Sequence, residues 1–388
     1  MRRWTRTIWL IAALAAIAAA SCTFGRILKY GPSNVDDFRI FPTRPLRASA
    51  APFRFLPNDG RGAPERATLP DGTEEHLDHL LADNDTLAFL LIQDDVLAAE
   101  RYYNGHGAKA LSLAFSMTKS FTSILIGAAL ADGRLRSLDQ PVTDYVPELK
   151  PAGFEAVTLR HLLQMTSGMD YVESDNPFGM HPHYYYGEDL EERLLRLTLA
   201  KPPGQEFRYK SGEAQLLGLV LKRALAPQTI TAYMQERLWE PLGMEHDAAW
   251  CVDREPDGIE KTFCCLALTA RDAAKFGRLY LNNGEWNGKQ LIPRDYVEES
   301  TRIDTADGGA WDYQFQWWLQ SPDGSDFLAI GHLGQYLYVN RPKRLIVVRM
   351  GASRGCLSGD EWRALLVDIA RRMPPAAGIN FNAIQPAN

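Results

Sequence analysis

Cysteine is scarce in this chain, with only five among 388 residues. A structural zinc site draws on Cys and His ligands at short, regular spacings, and these cysteines match no such pattern. The sequence therefore predicts no metal centre, and it leaves open whether the cysteines are buried thiols or include one disulfide. They are Cys22, Cys251, the adjacent pair Cys264 and Cys265, and Cys356.

The chain also lacks an excess of positive charge. Its formal net charge is −6 at pH 7, and the sequence contains no cluster of Lys and Arg that would form a basic surface. Proteins that bind nucleic acid need basic surface to neutralise phosphates, so this class is excluded and a small molecule is the expected partner. Its hydrophobic content of 46% is sufficient to form a hydrophobic core, and we expect one catalytic unit with two lobes.

The apolar run at the N-terminus is too short to be a comfortable membrane-spanning helix. It covers Ile8 to Ala20 behind a basic start, which is the pattern of an export signal. Ala19-Ala20-Ser21-Cys22 then resembles a bacterial lipoprotein cleavage box, except that Ala19 stands where Leu is usual. Residues 1–25 are expected to be a signal peptide or a lipoprotein or membrane anchor, with lipidation of Cys22 left open. We expect an exported protein, periplasmic or membrane-anchored, in a compartment that permits disulfides.

Sustained periodicity is absent from residues 26–72, which are rich in Pro, Arg and aromatics. This stretch is expected to be an extended arm, and residues 73–388 a single catalytic domain. Strand-like and helical patterns alternate there in a distinctive order. They predict a hairpin over Thr86 to Tyr103, a mainly helical lobe over about 145–260, strands between Gln314 and Met350, and a last helix over Glu361 to Met373. The sequence thus predicts an α+β fold, an antiparallel sheet built from both ends of the chain and flanked by helices, with an inserted helical lobe.

The stretch from Leu111 to Gly133 contains a Ser-x-x-Lys step at the start of a helix that is apolar on nearly every face. Ser116 has the side chain of a helix N-cap, and Lys119 lies one turn further along the same face. A desolvated lysine can be neutral enough to take the proton of a serine hydroxyl and make it nucleophilic. Ser116 and Lys119 are therefore candidate catalytic residues.

Two further segments carry candidate residues. Tyr209 follows the turn at Gly204 and directly precedes a buried helix, and a phenol beside a lysine ammonium can serve as a base. His332-Leu333-Gly334-Gln335 begins a strand. The small residue Gly334 lets the backbone approach a substrate, and an amide N–H there can complete an oxyanion hole.

The segment from Tyr171 to Glu188 is long, aromatic and irregular, which is typical of a lid or pocket wall. It predicts substrate contact by Tyr171. The acidic residues nearby are expected to form a solvated face, and the pair His181 and His183 is a weak metal signal because Pro182 separates them. The acidic residues are Asp170, Glu173 and Asp175.

Three motifs in this order resemble those of the serine β-lactamase and penicillin-binding-protein superfamily, from Thr86 to the C-terminus. They are Phe115-Ser116-Met-Thr-Lys119-Ser120, Tyr209-Lys210-Ser211 and His332-Leu333-Gly334. Within the superfamily, the sequence is most similar to the 6-aminohexanoate-dimer hydrolases and related esterases. The resemblance implies a β-lactamase/transpeptidase-like fold.

What the resemblance implies for chemistry is a covalent acyl-enzyme. Ser116 would attack an amide or ester carbonyl, Lys119 and Tyr209 would move the proton, and the backbone N–H groups of Ser116 and Gln335 would hold the oxyanion. His332, Gly334, Ser211 and Tyr171 would line the substrate pocket, and no metal or organic cofactor is needed.

Two departures from the family's motifs, Ser211 for Asn and His332 for Lys, favour esters or small amides over β-lactams. His332 lacks a permanent charge, because a histidine can be neutral at the working pH. Alternatives remain: a β-lactamase or D-amino-acid peptidase acting on β-lactams or cell-wall peptides, and an inactive homologue that only binds such peptides. An α/β-hydrolase is disfavoured because the chain lacks a Gly-x-Ser-x-Gly elbow.

Overall fold

A computed structural model of the protein describes residues 23–376. The predicted signal or anchor therefore lies almost wholly outside the described residues, and Cys22 with it. Within residues 23–376 no helix is both long and apolar enough to cross a membrane.

The strands are β1 (Thr43–Leu46), β2 (Arg66–Thr68), β3 (Glu74–His76), β4 (Thr86–Gln93), β5 (Val96–Tyr102), β6 (Ser112–Leu113), β7 (Ala248–Cys251), β8 (Leu266–Leu268), β9 (Glu285–Trp286), β10 (Lys289–Gln290), β11 (Tyr313–Gln314), β12 (Trp317–Leu319), β13 (Asp326–Gly331), β14 (Gln335–Asn340) and β15 (Leu345–Gly351). The α-helices are α1 (Thr23–Tyr30), α2 (Leu77–Asp83), α3 (Met117–Ala131), α4 (Leu159–Leu163), α5 (Met180–Tyr186), α6 (Leu190–Leu194), α7 (Ser211–Leu225), α8 (Ile230–Met234), α9 (Ala270–Leu281), α10 (Arg294–Glu299) and α11 (Gly359–Arg372).

A seven-stranded antiparallel sheet forms the centre of the fold, in the order β11-β12-β13-β14-β15-β4-β5. The C-terminal strand β15 pairs with β4, so the predicted α+β sheet built from both chain ends is confirmed. The predicted hairpin is also confirmed, since β4 and β5 pair across Asp94 and Asp95. Both turn residues have positive φ, as a two-residue hairpin turn of type I′ requires.

Apolar side chains cover both faces of this sheet. Leu90 and Ile92 of β4 join the core that contains α3 and α9, whereas Phe89 and Leu91 join the core of α2 and α11. Successive strand residues point to opposite faces, so a strand that is apolar throughout must be covered on both sides. Helix α3 packs against β13 of the sheet on one side and against α7 on another, so it lies between the sheet and that helix.

Helices α4 to α8 form the inserted lobe, and α7 packs against α3 and α4. Thr158 caps α4 with a capping box, and α4 ends at Leu163, shortly before Met165, whose φ is 61°. A positive φ is incompatible with a continuing right-handed helix.

The predicted irregular loop over 171–188 contains α5, which the sequence pattern misses because Pro182 interrupts it. Proline is tolerated in the first turn of a helix, where its missing N–H has no helical partner, and Pro182 lies in that turn. The arm over 26–72 likewise contains structure: α1 overlaps its start, and β1 pairs with β7.

Candidate active site

Ser116 lies at the N-terminus of α3, directly after Phe115, whose φ is 46°. The expected capping by its hydroxyl is wrong, because the Ser116 side chain makes no capping hydrogen bond. The Lys119 Nζ instead donates to the Ser116 Oγ at 2.8 Å. The Ala114 N–H donates to the Leu266 carbonyl, which fixes the chain just before the serine. The Ser116 hydroxyl thus contacts the lysine and not the helix backbone, and it follows a residue in the left-handed region, where non-glycine residues are uncommon.

Lys119 is buried, with 1% of its surface exposed. Its Nζ also donates to the Phe263 carbonyl at 2.9 Å and lies 5.0 Å from the centre of the Tyr209 ring. Burial lowers the pKa of Lys119 to about 8, against the opposing charge of Glu173. A substantial fraction of this amine is neutral in mildly alkaline solution, so Lys119 can accept the proton of Ser116.

Tyr209 completes the predicted catalytic group. Its ring stacks on Trp318 at 5.7 Å and meets Tyr313 edge-on at 5.9 Å. Burial raises the pKa of Tyr209 well above its ordinary value, and a hydrogen bond with the Ser116 hydroxyl opposes this only in part. The phenol is therefore neutral, which disfavours the expected phenolate base and favours a role in which Tyr209 relays or donates a proton.

The turn after β13 lies beside these residues. The His332 ring meets Phe115 edge-on at 5.5 Å, so the turn adjoins the start of α3. Gly334 has a φ of 80°, and a Cβ there would lie 2.1 Å from the Arg349 Nη1. Gln335 is fully buried, and its side-chain amide is bonded to the backbone of Gly351. Only its main chain can therefore serve a substrate.

Glu173 is exposed, as expected for a residue on a solvated face, but it also makes contacts in the site that the sequence does not indicate. Its carboxylate accepts hydrogen bonds from the Ser211 hydroxyl at 2.7 Å and from the Ser211 N–H at 2.8 Å. Ser211 is fully buried, so in this conformation Glu173 occupies the hydroxyl that was expected to contact substrate. Tyr171 is also buried, and its hydroxyl lies 3.1 Å from the His181 Nδ1.

Burial favours the neutral form of the two histidines of the candidate site. Burial lowers the pKa of His181, with Glu173 opposing, and burial lowers the pKa of His332, with Asp175 opposing. Within residues 23–376, no group of three or more His, Cys, Asp and Glu could hold a metal ion.

The adjacent cysteines Cys264 and Cys265 are joined by a disulfide, while Cys251 and Cys356 are free thiols. The disulfide directly follows Phe263, whose carbonyl accepts from Lys119. The sequence leaves the pairing open and offers no signal that this segment adjoins the lysine, because the contact joins residues far apart in the chain.

Comparison with known proteins identifies the family of this chain. A family model described as Beta-lactamase matches residues 74–367. The 6-aminohexanoate-dimer hydrolase of Paenarthrobacter ureafaciens is 26% identical over 306 residues, which are 73% of this chain and 76% of the relative.

Two solved structures extend the comparison. One from Bacillus anthracis, assigned as a 6-aminohexanoate-dimer hydrolase, has a TM-score of 0.77 at 25% identity and covers 87% of this chain and 93% of its own. A family VIII carboxylesterase has a TM-score of 0.56 at 18% identity, covering 74% of this chain and 92% of its own, and shows likeness of fold alone.

Proposed function

Because the chain belongs to the beta-lactamase family, whose members compared above include hydrolases, we propose that it is a serine hydrolase that cleaves an amide or ester through Ser116. The observation that carries this proposal is the 2.8 Å contact between the Lys119 Nζ and the Ser116 Oγ, at a buried amine. A serine and a lysine so placed form a nucleophile with its base.

The proposed reaction has two halves. In the first, neutral Lys119 takes the proton of Ser116 while the Oγ adds to the substrate carbonyl carbon. The negative oxygen that results is held by the backbone N–H groups of Ser116 and Gln335. Collapse of this intermediate breaks the bond to the amine or alcohol, which leaves with a proton delivered from Lys119 through Tyr209. An ester between Ser116 and the acyl group remains.

In the second half, water replaces the leaving group. Its proton passes to the same base while its oxygen adds to the acyl carbon, and Ser116 leaves with a proton as the free acid is released. The neutral His332 offers no permanent cation for a substrate carboxylate, which favours linear amides and esters. We further propose that the protein acts outside the cytoplasm, since residues 1–22 have the pattern of an export signal.

The test of the proposal is intact-protein mass together with turnover. The wild type and Ser116→Ala are incubated with p-nitrophenyl butyrate, nitrocefin and the linear 6-aminohexanoate dimer. We expect the wild type to cleave the ester or the linear amide and to gain a fluorophosphonate adduct, and Ser116→Ala to do neither. Ser137→Ala, at an exposed serine, is the control. If the wild type shows no turnover and no adduct, the proposal fails.

The pH profile should report Lys119. Below its pKa of about 8 the amine is protonated and cannot act as a base, so kcat/KM for a neutral ester should rise about tenfold per pH unit below that value and level off above it. Glu173 stabilises the ammonium form, so Glu173→Gln should lower the pKa of Lys119 and move the rising limb to lower pH. If the rising limb of the profile stays at the same pH in Glu173→Gln, a group other than Lys119 determines the pH dependence of kcat/KM.

A further inference from the structure

Helix α1 is amphipathic, and none of its residues is buried. Phe24, Ile27 and Leu28 share one side, at the spacing of three and four residues that aligns helix positions, whereas Arg26 and Lys29 lie on the other. Ile27 packs against the core, but Leu28 is 68% exposed. The helix therefore presents apolar surface that the rest of the described chain does not cover.

This apolar surface continues onto the segment that carries the candidate site. The rings of Phe24 and Phe178 stack at 5.1 Å, and Phe178 is nevertheless 75% exposed. Among the exposed large hydrophobic residues of the described chain, Phe178 and Leu28 have the highest exposure. We call Phe24, Leu28 and Phe178 the α1 patch.

Hydrogen bonds and an ion pair join α1 to the segment 171–188, which contributes to the candidate site. The Arg26 Nε donates to the Tyr186 carbonyl at 2.8 Å, and Arg26 also pairs with Glu188. The Tyr186 hydroxyl donates to the Gly31 carbonyl at 2.6 Å. The α1 patch is thus linked through α5 to His181, which contacts Tyr171 and Glu173 in the candidate site.

The chain enters α1 directly from its apolar N-terminal stretch. Ile8 to Ala20 precede the helix, and Cys22 is the residue before Thr23. A retained apolar anchor or an acyl chain on Cys22 would each attach within a few residues of α1. Because eight helical residues span about 12 Å, either anchor would keep the whole helix next to the bilayer.

We propose that the α1 patch lies in the boundary between headgroups and acyl chains of a lipid bilayer, so that the segment 171–188 of the candidate site is held at the membrane surface. An apolar helix side with Leu and Phe, and basic residues opposite, is the pattern of helices that lie in this boundary. The inference goes beyond the proposed hydrolysis and does not depend on it. A second copy of the chain is a poorer occupant, because stable protein interfaces use roughly 20–30 residues a side.

Photo-crosslinking of the full chain tests the proposal. p-Benzoylphenylalanine replaces Leu28 or Phe178, and as controls Trp311 or Val367, which are 48% and 38% exposed. Each protein is placed in vesicles of phosphatidylethanolamine and phosphatidylglycerol, irradiated and analysed by mass spectrometry. We expect lipid adducts at positions 28 and 178 to exceed those at the controls by about tenfold.

Two results would overturn the proposal. Lipid adducts at positions 28 and 178 no more frequent than at the controls would show that the patch does not enter the bilayer. Crosslinks between protein chains at these positions would assign the patch to a second copy. Near-UV circular dichroism verifies the fold of each substituted protein without relying on turnover. Failure of the hydrolase proposal can therefore be distinguished from failure of the membrane proposal.

Discussion

Replacement of Lys119 by methionine is expected to lower kcat/KM for an ester by about 10³-fold, which is the scale of a lost general base. Methionine fills a similar volume without a charge, so the buried site keeps its packing and no longer bears the cost of desolvating an ammonium. The fold should therefore persist while Ser116 loses the group that takes its proton. Steady-state kinetics and thermal unfolding of the same variant separate the two effects.

Lys261→Met supplies a matched control. Lys261 is also fully buried, its pKa is also lowered by burial to about 8, and its Nζ donates to the Tyr185 carbonyl at 2.7 Å. The hydrogen bonds of the Lys261 Nζ go to main-chain carbonyls of residues 184–187 and, within residues 23–376, none goes to Ser116, so the same substitution there should leave kcat/KM within about threefold of the wild type. Equal losses of activity in the two variants would contradict the role proposed for Lys119.

Gly334→Ala is expected to lower kcat by about 10²-fold, the scale of one lost oxyanion donor, and the free energy of unfolding by about 1–3 kcal/mol. The new Cβ would lie 2.1 Å from the Arg349 Nη1. The Arg349 side chain cannot easily move away from the new Cβ, because it is buried and donates to the Gly334 carbonyl and the Thr86 hydroxyl. The turn would shift and carry the Gln335 backbone with it.

Gly288→Ala separates backbone strain from this clash. Gly288 has a φ of 81°, close to that of Gly334, but a Cβ there meets nothing within 4 Å. Alanine at position 288 should therefore cost only the strain of a positive φ, about 1 kcal/mol, with activity unchanged. If thermal unfolding and kcat respond alike in the two variants, the Gly334 turn has no special part in catalysis.

Local chemistry explains why much of this site is predictable from sequence. Ser116 and Lys119 lie one helical turn apart, so their contact needs no knowledge of the fold. The hairpin β4–β5 likewise follows from an alternation of apolar strands and turn residues. The antiparallel sheet from both chain ends is predictable because strand-like runs occur before and after a helical stretch.

The contacts that the sequence does not predict join distant segments. Glu173 reaches Ser211 only because the segment 171–188 folds back over the start of α7. The exposure of Glu173 can be expected from its polar surroundings in the sequence, but its hydrogen bond with Ser211 cannot. The Phe263 carbonyl beside Lys119 is another case, since a main-chain group has no sequence signature. The pKa of Tyr209 depends on burial between Trp318 and Tyr313, which a motif cannot reveal.

The pairing of β15 with β4 also governs when the chain can fold during synthesis. Gln93 pairs with Leu345, so β4 has left the ribosome long before its neighbour exists. Until then an apolar strand lacks its partner on that edge, and loop closure over such a distance is slow. The sheet is completed only when nearly the whole polypeptide is available. Under the export proposed above, a chain that stays open until its last strands appear would suit a translocon, which accepts unfolded polypeptide, and the sheet would be completed after passage.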